Sequence, residues 1–109
     1  MRIVSGKYKR RIITPPKNLP VRPTTDMAKE SLFNILNNYI DFSGQNVLDL
    51  FSGTGNISYE FISRGAALVT SVDKDFGCIK FIKETAAKLS MDNLKPVRQD
   101  VFRFLNNTK

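Results

Sequence analysis

A ten-residue stretch, V-L-D-L-F-S-G-T-G-N at Val47–Asn56, constrains the fold of this 109-residue chain more than any other part. Apolar residues broken only by Asp49 run into Ser52-Gly53-Thr54-Gly55, and an amphipathic segment, Ile57–Arg64, follows and stops at Gly65. An apolar run, paired glycines and a helical pattern in that order predict a buried parallel strand, a tight turn and a helix N-terminus. Ligands of open α/β sheets bind just beyond the carboxyl ends of the strands, so the turn is expected to be a cofactor site.

Charge narrows the cofactor. A dinucleotide fingerprint carries three glycines and seats a pyrophosphate on the helix N-terminus. Here the third glycine position is Ser58, and Asp49 stands four residues before Gly53. A carboxylate at the strand end repels a pyrophosphate at close range. It suits a ligand with positive charge and no phosphate, such as S-adenosylmethionine with its sulfonium and ammonium groups. Small residues let the backbone approach that ligand with no Cβ in the way. The same residues are also compatible with an ordinary strand–turn–helix.

Leu68–Val72 reads as a second strand ending in Asp73-Lys74-Asp75, and the alternation with helical patterns points to a βαβ unit and a parallel sheet. Asp73 falls 18 residues after Gly55, about where an α/β nucleotide site sets an acid against ribose hydroxyls, although it could be an exposed strand-end acid. Phe76–Leu89 is a second amphipathic segment with Phe76, Ile79, Ile82, Ala86 and Leu89 on its apolar face. A weaker third strand, about 96–99, leads to Asp100 and the short run Val101–Leu105. Asp100 could accept from an adenine amino group or cap the last helix. Upstream, Thr24-Thr25-Asp26 offers N-cap residues, with Glu30 close behind. Ala28, Leu32, Ile35, Leu36, Tyr39 and Ile40 at helical spacing predict a face turned to a core.

The net charge of +7 is concentrated at one end. Residues 1–23 hold Arg2, Lys7, Lys9, Arg10, Arg11, Lys17 and Arg22 and no acid, while the ten basic and ten acidic residues of 24–109 cancel. The chain divides accordingly into a basic hairpin arm with a Pro-rich linker, 1–23, and a cofactor-binding unit, 24–109. Ile3 and Val4 before Ser5-Gly6-Lys7, and Tyr8, Ile12 and Ile13 after it, suggest a β-hairpin. Tyr8 among cations suits stacking on bases while phosphates are neutralised; a charged edge hairpin that resists strand pairing is the competing reading. No run approaches a membrane span, and the absence of histidine with a single Cys78 leaves no disulfide framework and no Cys/His metal site. Cys78 is expected to be buried as a small hydrophobe. A cytoplasmic protein that binds neither metal nor membrane is expected.

Three segments carry a family resemblance. Arg22-Pro23-Thr24-Thr25-Asp26, Glu30-Ser31-Leu32-Phe33-Asn34-Ile35-Leu36 and Asp49-Leu50-Phe51-Ser52-Gly53-Thr54-Gly55 closely resemble bacterial small-subunit (16S) ribosomal RNA guanine-N2 methyltransferases, and R-I-V-S-G-K-Y-K-R-R is similar to their opening hairpin. The resemblance implies a Rossmann-like class I methyltransferase sheet, here about three parallel strands with flanking helices plus the N-terminal hairpin. It implies S-adenosylmethionine as cofactor and methylation of a guanine amine in ribosomal RNA. Asp49, Phe51, Ser52, Gly53, Thr54 and Gly55 would surround the methionine part. Asp73 would hold the ribose, Asp100 with Val101 would meet the adenine, and Lys74 would belong to the same cofactor-binding set. Arg2, Lys7, Tyr8, Lys9, Arg10, Arg11, Arg22 and Thr24 would face RNA.

The family's Asn/Asp-Pro-Pro-Tyr/Phe motif, which holds the target amine after a fourth strand, has no counterpart in these residues, since the only Pro-Pro is Pro15-Pro16 in the linker. No catalytic residue is therefore assigned, and the 109 residues alone are expected to be inactive. The alternatives are a non-catalytic module that binds RNA or S-adenosylmethionine, and an adenine-N6 DNA methylase, with which such chains are easily confused because both methylate exocyclic amines; Asp49 and Ser58 disfavour an oxidoreductase. The resemblance implies a sheet order beginning 3-2-1-4, so Val47–Phe51 is expected to be an edge through which two copies form a homodimer.

Overall fold

A computed structural model describes residues 1–20 and 24–107, so the expected RNA contact Arg22 lies outside the described residues. Three parallel strands, β1 (Asn46–Leu50), β2 (Leu68–Asp73) and β3 (Leu94–Arg98), form one sheet in the order β1-β2-β3. The register places Asp49 opposite Ser71 and Asp73 opposite Arg98. Pro96 is tolerated because β3 is an edge strand among the described residues, where a missing N–H breaks no ladder on its open side. Four helices accompany the sheet: α1 (Asp26–Leu36), α2 (Asn56–Ser63), α3 (Phe76–Lys88) and α4 (Val101–Asn107).

Residues 76–88 are helical because Asp75 caps them, its carboxylate accepting from Cys78 N at 2.8 Å, and because Ile79, Ile82 and Ala86 recur on one side. These residues and Tyr59 and Ile62 of α2 pack against Val69 and Leu94 of the sheet. Cys78 is buried. On the opposite face of the sheet Leu48 is 47% exposed and Leu68 40%. Phe76, expected on the apolar face, stands 60% exposed: as the first residue of α3 it lies past the sheet, with the Arg98 guanidinium 5.4 Å from its ring centre.

The N-terminal segment is a hairpin with a single antiparallel bridge, Arg2 to Ile12, flanked by Ile3 N–H to Arg11 O (2.9 Å) and Ile13 N–H to Met1 O (2.9 Å). The ladder is short because the intervening turn is wide, with Gly6 and Arg10 both at positive φ (88° and 74°). Ile3 and Ile13 are buried in the core. The turn sits on the end of α2: Lys7 N–H donates to Ser63 O (2.8 Å), Tyr8 N–H to Ser63 Oγ (2.9 Å), and Ser63 Oγ to Ser5 O (2.5 Å).

The expected face of α1 is corrected. Ala28, Leu32, Ile35, Tyr39 and Ile40 are exposed and Leu36 is half-buried, while the buried residues of the helix are Lys29 and Phe33. Thr25 does cap it, its hydroxyl accepting from Ala28 N (3.1 Å), but the helix ends at Leu36. Phe33 meets Phe61 edge-on with centroids 4.8 Å apart, and the Arg64 guanidinium lies 4.6 Å from its ring centre. Lys29 extends into the protein and reaches Glu60 at 3.3 Å, with both side chains at 1% exposure or less. Glu60 also accepts from Arg64 Nε (2.8 Å), Val4 N (2.9 Å) and Ser5 N (3.1 Å), and Lys29 Nζ donates to Arg2 O (2.6 Å) and Asn56 Oδ1 (2.7 Å). Burial lowers the Lys29 pKa, opposed by the charge of Glu60. One buried ion cluster thus joins the hairpin, α1 and α2.

Candidate functional site

Because the three strands are parallel and in adjacent register, β1, β2 and β3 end on the same side of the sheet, and a cleft of ≈750 Å³ opens there. Phe51, Asp73, Lys74, Asp100 and Val101, all expected from the sequence, line it, together with Phe76, Arg98 and Phe102, which were not.

Asp49, Ser52, Gly53, Thr54 and Gly55, also expected around the cofactor, are not among the lining residues; of this stretch only Phe51 borders the cleft, with the glycine turn next to it in sequence. Phe51, Gly53 and Gly55 all take positive φ (58°, 56° and 91°), folding the chain back within five residues. The requirement at Gly55 is also steric: a Cβ there would lie 2.8 Å from Tyr59 Cζ. The turn is pinned to β2 by Ser52 N–H to Val72 O (3.0 Å) and Gly53 N–H to Asp73 Oδ2 (3.0 Å). Phe51 leaves β1 in the left-handed region, and its ring, 66% exposed, meets Phe102 at a centroid distance of 6.3 Å. Ser52 Oγ is buried with no hydrogen-bond partner among the described residues, and Thr54 is buried beside it in sequence.

Asp49 sits behind the turn. Its Oδ2 accepts from Ser58 Oγ at 2.5 Å, and Ser58 Oγ is 2.5 Å from Ser71 Oγ, so donation by Ser58 to Asp49 leaves Ser71 donating to Ser58. The serine at the third glycine position of the fingerprint thus tethers the strand-end acid. Burial pushes the Asp49 carboxyl above its ordinary value; the Ser58 hydrogen bond pulls it back, and the charge of Asp73 adds to the rise. Asp73 itself accepts from Asp75 N at 2.9 Å as well as from Gly53. The amide of Cys78 holds the Asp75 carboxyl below its ordinary value, and burial with that neighbouring acid pushes the Cys78 thiol up to about 12. Asp100 Oδ1 caps α4, accepting from Phe102 N (3.0 Å) and Arg103 N (3.1 Å), and Val101 is buried.

The expected RNA contacts divide into open and engaged side chains. Lys7, Lys9, Arg10 and Arg11 are exposed on the hairpin or at its edge, whereas Tyr8 is half-buried against the core with Lys7 5.4 Å over its ring. Arg2 is exposed and pairs with Asp26 at 3.7 Å. Thr24 is exposed, its carbonyl accepting from Asn56 Nδ2 at 2.8 Å just after the glycine turn. Sequence reading missed Lys29, Asn56 and Glu60; only the i,i+4 spacing of Glu60 and Arg64 signalled any of that cluster. No helix among the described residues is long and apolar enough to cross a membrane.

The family model described as conserved hypothetical protein 95 matches residues 1–109. Ribosomal RNA small subunit methyltransferase D of Buchnera aphidicola subsp. Baizongia pistaciae is 34% identical over 105 residues, covering 96% of this chain and 53% of that protein. A solved hypothetical protein of Thermus thermophilus is 26% identical with a TM-score of 0.84, covering 98% of this chain and 60% of that one. At the level of fold alone, coclaurine N-methyltransferase, solved with N-methylheliamine and S-adenosylhomocysteine, matches at 23% identity and a TM-score of 0.56, over 72% of this chain and 23% of that one. The chain spans about half the length of the curated relatives it matches. These likenesses lend no support to a homodimer through Val47–Phe51. They do place the chain: it belongs to the family described as conserved hypothetical protein 95, its relatives include ribosomal RNA small-subunit methyltransferases, and its fold is that of a solved protein of Escherichia coli described as a putative methyltransferase (30% identity, TM-score 0.85, over 96% of this chain and 55% of that one).

Proposed function

We propose that the protein transfers a methyl group from S-adenosylmethionine to the exocyclic amine of a guanine in small-subunit ribosomal RNA, and that these 109 residues supply the cofactor cleft and part of the RNA surface. The observation that carries the reading is the cleft itself: the acids at the ends of β2 and β3, Asp73 and Asp100, line it, and the glycine turn is pinned to Asp73. The residues fit the cofactor. The buried Ser52 Oγ is a polar atom at the turn without a hydrogen-bond partner among the described residues, and burial of Asp49 favours a cation nearby.

The bound group supplies an electrophilic methyl on a sulfonium. Asp73, whose two oxygens each have acceptor capacity beyond the single amide they bind, is the residue for the ribose hydroxyls. Asp100 keeps Oδ2 for an adenine amino group, beside the apolar Val101. Asp49 and the turn through Gly55 take the methionine part. Lys7, Lys9, Arg10 and Arg11 neutralise phosphates. Orientation and exclusion of water are what these residues contribute; none is proposed as a general base.

Calorimetry tests the cofactor reading. The chain should bind S-adenosylhomocysteine in preference to NAD, and Gly53→Val should abolish that binding by setting a branched side chain at a positive-φ turn. Tighter binding of NAD would reject the assignment. For RNA, replacing Lys9, Arg10 and Arg11 by alanine should flatten the dependence of log affinity on log salt by up to about 2–3 units, at roughly 0.7–0.9 per phosphate contact. An unchanged slope would make the arm a charged edge only.

A further inference from the structure

Beside the cofactor cleft lies a second opening of ≈490 Å³, lined by Lys74, Arg98, Gln99, Asp100 and Arg103. Lys74, Arg98 and Asp100 border both, so the two are continuous. We infer that Lys74, Arg98 and Arg103 form a phosphate-binding bay that takes the backbone of a single-stranded RNA segment entering the cleft. This rests on the reading of the protein as an RNA methyltransferase, and it assigns an RNA contact at the opposite end of α2 from the basic hairpin's docking point at Ser63.

Three observations support it. First, no carboxylate lies within ion-pair distance of these three cations among the described residues, where the ion pairs are those of Arg2, Lys29 and Arg64. The neighbouring acids bind backbone amides, Asp73 those of Gly53 and Asp75, Asp75 that of Cys78, and Asp100 through Oδ1 those of Phe102 and Arg103, although the charge of Arg98 is felt at Asp75. Three cations against the one carboxylate of Asp100 leave the lining of the opening net positive, which a polyanion complements.

Second, Arg98 is already positioned. Its Nε donates to Lys74 O at 3.3 Å and its guanidinium lies 5.4 Å from the Phe76 ring centre, so less freedom is lost when an anion arrives. Third, the rings of Phe76 and of Phe102, which is 69% exposed, line the adjoining cleft across the border that Lys74, Arg98 and Asp100 share with the bay. Exposed rings next to a cationic opening suit a single strand, whose bases stack on rings while its phosphates meet cations. A free anion needs the cations and has no use for the rings.

Arg103 separates this bay from the cofactor cleft because it borders the bay alone. The test is fluorescence anisotropy of the intact protein with a single-stranded oligoribonucleotide of small-subunit ribosomal RNA sequence, titrated across salt, beside calorimetry with S-adenosylhomocysteine. Arg103→Gln should weaken RNA binding about equally for unrelated sequences and reduce the salt slope by about 0.7, with affinity for S-adenosylhomocysteine unchanged. Arg103→Glu should weaken it further. Inorganic phosphate should compete with the oligoribonucleotide only at high concentration. An unchanged slope in Arg103→Gln overturns the inference, and so does a loss of S-adenosylhomocysteine affinity in that variant, which would make the bay part of the cofactor site. If the unmodified protein binds RNA but not S-adenosylhomocysteine, the methyltransferase reading fails while the slope still decides the bay.

Discussion

Replacing Glu60 by alanine should remove about 3–5 kcal/mol of stability, the usual cost of deleting one partner of a buried ion cluster. The carboxylate is fully buried and balances two cations, Lys29 at 3.3 Å and Arg64 at 2.8 Å, while accepting from the amides of Val4 and Ser5. Without it, Lys29 is a buried ammonium whose remaining partners are the Arg2 carbonyl and the Asn56 amide oxygen. Loss of charge balance matters more here than loss of packing. Glu60→Gln should therefore be damaging as well, although its shape is kept, whereas adding Lys29→Met to it should recover part of the loss. Urea unfolding of the three variants checks this; a loss below about 1 kcal/mol in Glu60→Ala would mean that the cluster is solvated in solution.

Gly6→Val should lift the hairpin off the domain. A Cβ at Gly6 would lie 1.9 Å from Ser63 O and 2.4 Å from Ser63 C, both backbone atoms, and its φ of +88° already disfavours a branched residue. Relief requires separating the turn from α2, which breaks the bonds of Lys7 N, Tyr8 N and Ser5 O to Ser63. Three hydrogen bonds at about 0.5–1.5 kcal/mol each give a loss of about 2–4 kcal/mol, confined largely to the arm. Amide exchange at Ile3, Lys7 and Tyr8 should speed up strongly while Val69 and Val72 of β2 stay protected. Retained protection at Lys7 would show that the turn can shift without undocking. The same variant should lose the salt-dependent contribution of the arm to RNA binding, because a detached hairpin no longer presents its cations on a fixed surface.

The two variants probe opposite kinds of information. Gly6, Gly53 and Gly55 were legible as turn residues, because a glycine between apolar runs has few other uses and its conformational requirement is local. The strand-end acids Asp73 and Asp100 were legible for the same reason: each follows a short apolar run, and the end of a parallel strand is where a ligand meets the sheet. The structure then brings Phe51, Asp73, Lys74, Asp100 and Val101 to one cleft. The pattern failed at α1. Six residues at helical spacing promised a core face, yet all but the half-buried Leu36 are exposed, and the helix turns Lys29 and Phe33 inward. Periodicity counts apolar residues and cannot see that a lysine on one helix has a glutamate waiting on another.

By itself the sequence determined the order of strands and helices, the parallel character of the sheet and the place of the glycine turn, because each follows from contacts within a few residues. Side-chain period sets strand or helix, and glycine sets positive φ. Only the tertiary structure decided which face of α1 is buried, that Ser58 and Ser71 hold Asp49 from behind, and that Lys29, Glu60 and Arg64 join three elements. It also decided that Arg98 and Arg103 share an opening with Lys74. A buried charge is stable only beside its counter-charge, and Lys29 and Glu60 lie 31 residues apart in the chain, so their pairing exists only once the elements have packed.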